Sequence, residues 1–249
     1  MPTQTIFNKA NQYENIVAVG DVHGKTNELA FRIKERYKIH DSIIILCGDI
    51  GFGFNKPNYH KAEFDKINRI CRKQNNLVFA VRGNHDDPDY FNGKKTCGEW
   101  SNVKLIPDYT VIETKNHRSL CVGGAVSVDR LIRIKAGREG YWKDEIPIYN
   151  KKRLEEIGNI DFVFTHSAPH FCEPVLKTGI KEMLKEDRLL EVDTDDERQV
   201  FTKIFDYLTS NINIIKWWVY AHYHMSRTQN CNGSKFRAID ELEFFEIPI

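Results

Sequence analysis

The chain has 249 residues, with 36 lysines and arginines against 35 aspartates and glutamates, so its formal net charge is +1. A balance this even supplies no overall field to draw in nucleic acid or an anionic membrane. Its 41% apolar and 12% aromatic content suits a soluble globular protein and excludes intrinsic disorder.

In chain order, Met1-Pro2-Thr3-Gln4-Thr5 lacks the basic start and apolar stretch of a secretory signal. Ile16-Val17-Ala18-Val19-Gly20 reads as a buried strand, and Leu29, Ile33 and Tyr37 then recur at helical spacing. Ile43 to Cys47, as long as any apolar run in the chain, has strand length and falls far short of the ~20 residues that span a bilayer. A helix carrying Phe64, Ile67, Ile70 and Cys71 follows, then a strand over Leu77-Val78-Phe79-Ala80-Val81. Continuous apolar strands separated by amphipathic helices imply a sheet covered on both faces. Past residue 100, Val111-Ile112 and Leu120-Cys121-Val122 follow one another with no helix between, which points to antiparallel or mixed pairing. Asp161 to Thr165 is another strand. A helix over 195–208 is then marked by Asp195 and Asp196 at its start and an apolar stripe of Val200, Phe201, Ile204, Phe205 and Leu208. Trp217 to Tyr220 and the region from Phe236 to Ile247 supply the last strands. Residues 124–150 show little periodicity and read as an ordered loop over a site, or an insertion. With no repeat or linker, a single domain over 1–249 is expected. Cys47, Cys71, Cys97, Cys121, Cys172 and Cys231 form no Cys-x-x-Cys pair. They read as reduced, packing thiols in a cytoplasmic protein.

Five short clusters sit at the ends of these strands: Gly20-Asp21-Val22-His23-Gly24, Gly48-Asp49-Ile50-Gly51, Gly83-Asn84-His85-Asp86, Thr165-His166-Ser167 and Ala221-His222-Tyr223-His224. Each alone is weak. Seventeen aspartates and nine histidines in this length give about 0.6 Asp-x-His and about 0.3 His-x-His pairs by chance. Singly, Asp21, Asp49 and Asn84 read as turn formers or caps, and His166 and His222 as core histidines. The ordered set is what chance does not supply. Residues leaving the carboxyl ends of neighbouring strands converge on one crevice. That would gather Asp21, His23, Asp49, Asn84, His166, His222 and His224: two carboxylates, one amide and four imidazoles. Two carboxylates resist sharing a site without a cation, and two divalent metals suit this O/N mix. Glycine before Asp21, Asp49 and Asn84 lets the chain turn sharply and approach the ions.

This ordered set resembles the signature of the calcineurin-like metallophosphoesterase superfamily, and the match runs from Asp21 to His224. The resemblance implies a layered α/β/β/α sandwich, with two mixed sheets flanked by helices and the metal site at the strand carboxyl ends. By resemblance, Asp21, His23, Asp49 and His224 would hold one metal. Asp49, Asn84, His166 and His222 would hold the other, with Asp49 bridging. His85 would lie beside the substrate phosphate and Asp86 would orient its imidazole. Two departures matter. Gly48-Asp49-Ile50-Gly51-Phe52-Gly53 lacks the second Asp and the Arg of the phosphoprotein phosphatase pattern Gly-Asp-x-x-Asp-Arg-Gly, which argues against a serine/threonine protein phosphatase. Ala221 also stands where glycine is usual, tolerable if its backbone is ordinary.

The implied activity is hydrolysis of a phosphomonoester, phosphodiester or nucleotide by in-line attack of a metal-bridging hydroxide, with His85 acting on the phosphoryl oxygens or leaving group. Manganese is the first choice of metal, with iron, zinc, nickel or cobalt as alternatives. The expected partner is a small phosphorylated substrate, with no membrane. A nuclease-type phosphodiesterase is the runner-up, although the net charge does not advertise nucleic acid, and a non-catalytic scaffold would have no use for these ligands. Lys115, Arg118, Arg130, Arg133, Lys135 and Arg138 stand against one acid, Asp129. They read as a solvated face, or as a source of one phosphate-gripping arginine, with Arg130 first. His170 could line the same rim; Tyr141 and Trp142 read as packing. Cys47 and Cys172 lack a paired base, and His40, His60 and His117 match no motif.

Overall fold

The computed structural model describes residues 5–6, 10–137, 140–174, 180–210 and 214–249. Twelve strands lie among the described residues: β1 Thr5–Ile6, β2 Asn15–Val19, β3 Ser42–Cys47, β4 Leu77–Val81, β5 Val103–Leu105, β6 Thr110–Glu113, β7 Arg118–Val122, β8 Phe162–Thr165, β9 Trp217–Tyr220, β10 Arg227–Cys231, β11 Ser234–Ala238 and β12 Phe244–Glu246. The main helices are α1 Thr26–Phe31, α2 Pro57–Lys73, α3 Pro88–Phe91, α4 Arg130–Ala136, α5 Lys151–Ile157, α6 Lys181–Glu186 and α7 Leu190–Thr209. One sheet has five strands in the order β12-β2-β3-β4-β5, and the other has seven in the order β1-β6-β7-β8-β9-β11-β10. In the first, β2, β3, β4 and β5 run parallel and β12 pairs antiparallel to β2. In the second, β7, β8, β9 and β11 are parallel, β6 is antiparallel to β7 but parallel to β1, and β10 is antiparallel to β11. Both sheets are therefore mixed.

Alternation along the strands sorts the side chains into three apolar layers. Ile43, Ile45 and Cys47 of β3 point between the sheets, with Phe79 and Val81, and meet Cys121, Phe162, Phe164 and Val219 of the other sheet. Ile44 and Leu46 point the other way, against Leu29, Ile33, Phe64, Ile67 and Cys71 of the covering helices. On the far side, Leu120, Val122, Val163 and Trp218 pack on Leu154, Ile157, Phe201, Ile204 and Leu208. The order is helix, sheet, sheet, helix, the α/β/β/α sandwich that the resemblance implied. Pro57 opens α2, where its missing N–H costs nothing, and Arg72 and Lys73 complement its C-terminal dipole.

Three local expectations change. The helix expected from Asp195 begins at Leu190, with Leu189 at the cap position and Glu191 and Asp193 in its first turn, so Asp195 and Asp196 lie inside it. The closing region contains two strands in different sheets, β11 and β12, separated by a crossing segment. Within 124–150 the chain forms α4, whose own side chains are none of them buried; Arg138 lies outside the described residues. No described helix is long and apolar enough to cross a membrane.

Candidate metal centre

The turns after β2, β3 and β4 are sewn together by their own backbone. Val22 and His23 N–H both donate to the Asp49 carbonyl at 3.0 and 2.7 Å, and Gly24 N–H to that of Ile50 at 2.9 Å. The Asp86 carboxylate joins the third turn to the second, accepting from the N–H groups of Ile50, Gly51, Phe52 and Gly83 at 3.1, 2.7, 2.9 and 2.8 Å. In the other sheet, Ala221 N–H donates to the His166 carbonyl at 3.0 Å. The two sets meet where His222 N–H donates to Asp21 Oδ1 at 3.2 Å.

Within this crevice the structure brings all seven candidate ligands together. Ligand atoms of Asp21, His23 and His224 lie within 4.8 Å of one another, and so do those of Asp49, His166 and His222. His224 Nε2 is 2.9 Å from Asp21 Oδ2 and 3.1 Å from His23 Nε2. The Asp49 carboxylate lies between the triads, with Oδ1 3.2 Å from His166 Nε2 and Oδ2 4.0 Å from His23 Nε2. Asn84 Oδ1 is 2.9 Å from the same His166 nitrogen. His166 Nδ1 contacts the Cys47 carbonyl at 2.8 Å, which fixes the tautomer that leaves Nε2 to bind a cation.

His23, Asp49, His222 and His224 sit at φ of +46°, +48°, +67° and +46°. Each such left-handed residue costs on the order of 1–3 kcal/mol, and a group of them marks a functional site. Two glycines show a more specific reason than closeness to ions. Gly48 is at φ +100°, and a Cβ there would lie 2.2 Å from His166 Nδ1; at Gly83 it would lie 2.0 Å from Asp49 Oδ1. The chain must pass this close to the ligands themselves.

Burial raises Asp49's pKa and opposes charge on His166. Their mutual contact overcomes this, holding Asp49 far below the usual carboxylate range and lifting His166 to about 10. Burial, reinforced by the neighbouring His166, drives His222 well below its usual value. The residues present fit a divalent pair on two observations. Asp21 Oδ2 is buried without a hydrogen bond of good geometry, and the Nε2 atoms of His23 and His224, each of which offers a lone pair in its Nδ1–H tautomer, converge at 3.1 Å.

His85 lies at this centre, its ring 5.9 Å from that of His23 and 6.0 Å from Phe54. Asp86 does not orient it. His85 Nδ1 meets the Gly140 carbonyl at 3.1 Å, and Asp86 is wholly buried among its four N–H partners. Burial and the Asp49 charge push Asp86 up to about 6 against their pull. The expected phosphate grip by Arg130 is also corrected. Its guanidinium is committed to Asp187 and Asp193, each at 2.6 Å. Arg133 pairs with Asp129 at 2.7 Å. The His170 side chain is exposed and its N–H donates to Thr202. Trp142 packs over Gly53, where a Cβ would come within 2.6 Å of it. His60 Nε2 accepts from Gly53 N–H, and His117 packs on Phe162. Cys47 and Cys172 are buried with raised thiol pKa values, as packing residues are.

Sequence reasoning missed the groups behind the ligands. Val126 N–H donates to Glu197 and Ser127 N–H to Glu145, both at 2.6 Å. Ser167 Oγ and Tyr223 Oη are 2.7 Å apart, and Arg198 donates to the carbonyls of Pro169, Cys172 and Pro174. Burial pushes Glu145 up to about 8 and Glu197 to about 7, against the donors around them.

The chain belongs to the calcineurin-like phosphoesterase family, whose model matches residues 14–226. These are metal-dependent hydrolases of phosphate esters. No curated protein sequence matches the chain. Among solved structures, one is similar over 93% of this chain and 94% of its own, at 12% identity and a TM-score of 0.54. The phosphopantetheinyl hydrolase of Mycobacterium tuberculosis is similar over 93% of this chain and 91% of its own, at 14% identity and a TM-score of 0.41. A putative 5'-nucleotidase from Staphylococcus aureus covers 92% of this chain with 49% of its own, at 15% identity and a TM-score of 0.46. The first likeness is one of fold alone, and the other two are too loose to lend the chain an activity.

Proposed function

We propose that the chain hydrolyses a small phosphate ester, a monoester, diester or nucleotide, with two divalent cations. Asp21, His23, Asp49 and His224 hold one, and Asp49, Asn84, His166 and His222 the other. The observation that carries this reading is the Asp49 carboxylate, which turns one oxygen to His166 and the other toward His23. Manganese is the preferred metal for this O/N donor set, with iron, zinc, nickel and cobalt as alternatives. When bound, the cations supply an activated water and neutralise the charge that gathers on the phosphoryl oxygens. The chain's own residues do the rest. His85 donates its Nδ1–H to the Gly140 carbonyl, and in the doubly protonated imidazolium form its Nε2–H donates to a phosphoryl or leaving-group oxygen. The Asp86 bridge keeps the turn that carries His85 in register with the turn that carries Asp49.

The test uses p-nitrophenyl phosphate and bis(p-nitrophenyl) phosphate, with Mn²⁺ and with chelator. Turnover is expected on at least one, lost on chelation and restored by Mn²⁺. Asp49→Ala should lose metal and turnover together. His85→Ala should keep the metal and lose about 10²–10⁴-fold in kcat. An Asp49→Ala protein with undiminished turnover would overturn the assignment.

A further inference from the structure

A ligating asparagine has a problem that a carboxylate does not: only one end of its amide can bind a cation, while the other carries two N–H donors. Asn84 is 2% exposed, so solvent does not decide which end faces the site. Its Nδ2 donates to Ser127 Oγ at 3.0 Å, and its Oδ1 lies 2.9 Å from His166 Nε2. A serine hydroxyl can donate or accept, so Ser127 alone would not distinguish the two ends. Its direction is set one residue further back. Ser127 Oγ donates to Glu145 Oε2 at 2.8 Å, and Ser127 N–H to Oε1 of the same carboxylate at 2.6 Å. In the ionised form that nearby cations favour, this carboxylate only accepts, so the hydroxyl proton is used there. Its lone pairs are left for a donor, and Asn84 must present nitrogen to Ser127 and oxygen to the cation side.

Glu145 is 1% exposed and rigidly held. Its backbone carbonyl accepts from Arg82 Nη1 at 2.6 Å, and Arg82 pairs with Asp108 at 2.8 Å. Asp108 in turn accepts Gly123 N–H at 2.9 Å. Gly124, at φ +92°, passes so close that a Cβ would lie 2.4 Å from the Glu145 carbonyl oxygen. The Gly-Gly step thus brings Ser127 under Asn84.

From this row of buried contacts we infer that Ser127 and Glu145 are positioning residues that keep Asn84 Oδ1 turned to the cation of Asp49, His166 and His222. The inference rests on the two-metal reading above. It gives Ser127 and Glu145 a part in building the metal site itself.

The experiment is calorimetric titration of Mn²⁺ into chelator-treated, full-length protein. Wild type should take up two equivalents. Ser127→Ala and Glu145→Gln should each weaken one equivalent by about 10–100-fold, the range for partners that orient a ligand, and leave the other unchanged. Ser127→Thr, which keeps the hydroxyl, should restore it. An aspartate has two equivalent oxygens and needs no orienting, so in an Asn84→Asp background Glu145→Gln should cost no further affinity. Melting of the metal-free proteins reads folding separately. If Ser127→Ala melts early, Glu145→Gln carries the same comparison with its shape conserved. Wild-type affinity at both sites in Glu145→Gln, or an equal loss in the Asn84→Asp background, would overturn the inference alone. Failure of wild type to bind two equivalents would instead overturn the two-metal reading.

Discussion

The five-stranded sheet brings to the crevice every oxygen among the candidate ligands, from Asp21, Asp49 and Asn84, and the single imidazole of His23. The seven-stranded sheet brings only imidazoles: His166, His222 and His224. Neither edge alone is a balanced set. Oxygens without imidazoles would be crowded anions, and imidazoles without oxygens would lack charge to hold a divalent ion. The apolar layer between the sheets therefore does more than stabilise. It holds one half of the donor set against the other, whereas the two outer layers only cover each sheet.

The largest expected effect separates those layers. Phe164 lies between the sheets and Phe201 on the outer face of the seven-stranded one, both fully buried. Changing either to alanine should cost about 3–5 kcal/mol in denaturant unfolding. Only Phe164→Ala should also weaken Mn²⁺ uptake by the protein that remains folded. Equal binding in the two variants would break the comparison. A smaller effect concerns Arg130. Tied to Asp187 and Asp193 in a partly exposed cluster, it should lose on the order of 1 kcal/mol of stability as Arg130→Ala, with KM for an aryl phosphate unchanged. A several-fold rise in KM would return it to the substrate.

The smallest effect is a slope with pH in the metal-free protein. Glu145 and Glu197, raised to about 8 and about 7, keep protons when folded that the unfolded chain releases above its ordinary 4.5. Their stabilisation is complete below that pH and is lost as pH climbs through 7 and 8. His222, lowered by burial, acts in the opposite sense only up to its ordinary 6.5. The melting temperature should therefore fall from pH 6.5 to 9, and Glu145→Gln should flatten the fall.

The strands that carry ligands were legible because they are continuous apolar runs that a two-sided sheet requires, as in Ile43–Cys47 and Leu77–Val81. Val103–Leu105 and Arg227–Cys231 were not, being edge strands whose polar residues face solvent. The ligands were legible because each follows a strand by a few residues. Arg130 was misread because its charge is visible in the sequence while its partner, Asp187, lies 57 residues away. Ser127 and Glu145 gave no local signal at all. Glu197 did: it falls on the same helical face as Phe201, Ile204 and Leu208, and a carboxylate on an apolar stripe needs a buried partner.

The segment between β11 and β12 crosses from one sheet to the other, so that Phe244 pairs with Val19 and Leu242 N–H donates to the Asp21 carbonyl at 3.0 Å. A nascent chain on the ribosome thus exposes Asp21 and Asp49 long before it has made the residues that close around them. His224, the last candidate ligand, is also made before this crossing, so a product truncated ahead of Leu242 would carry every donor yet lack the backbone bond that braces the Asp21 turn.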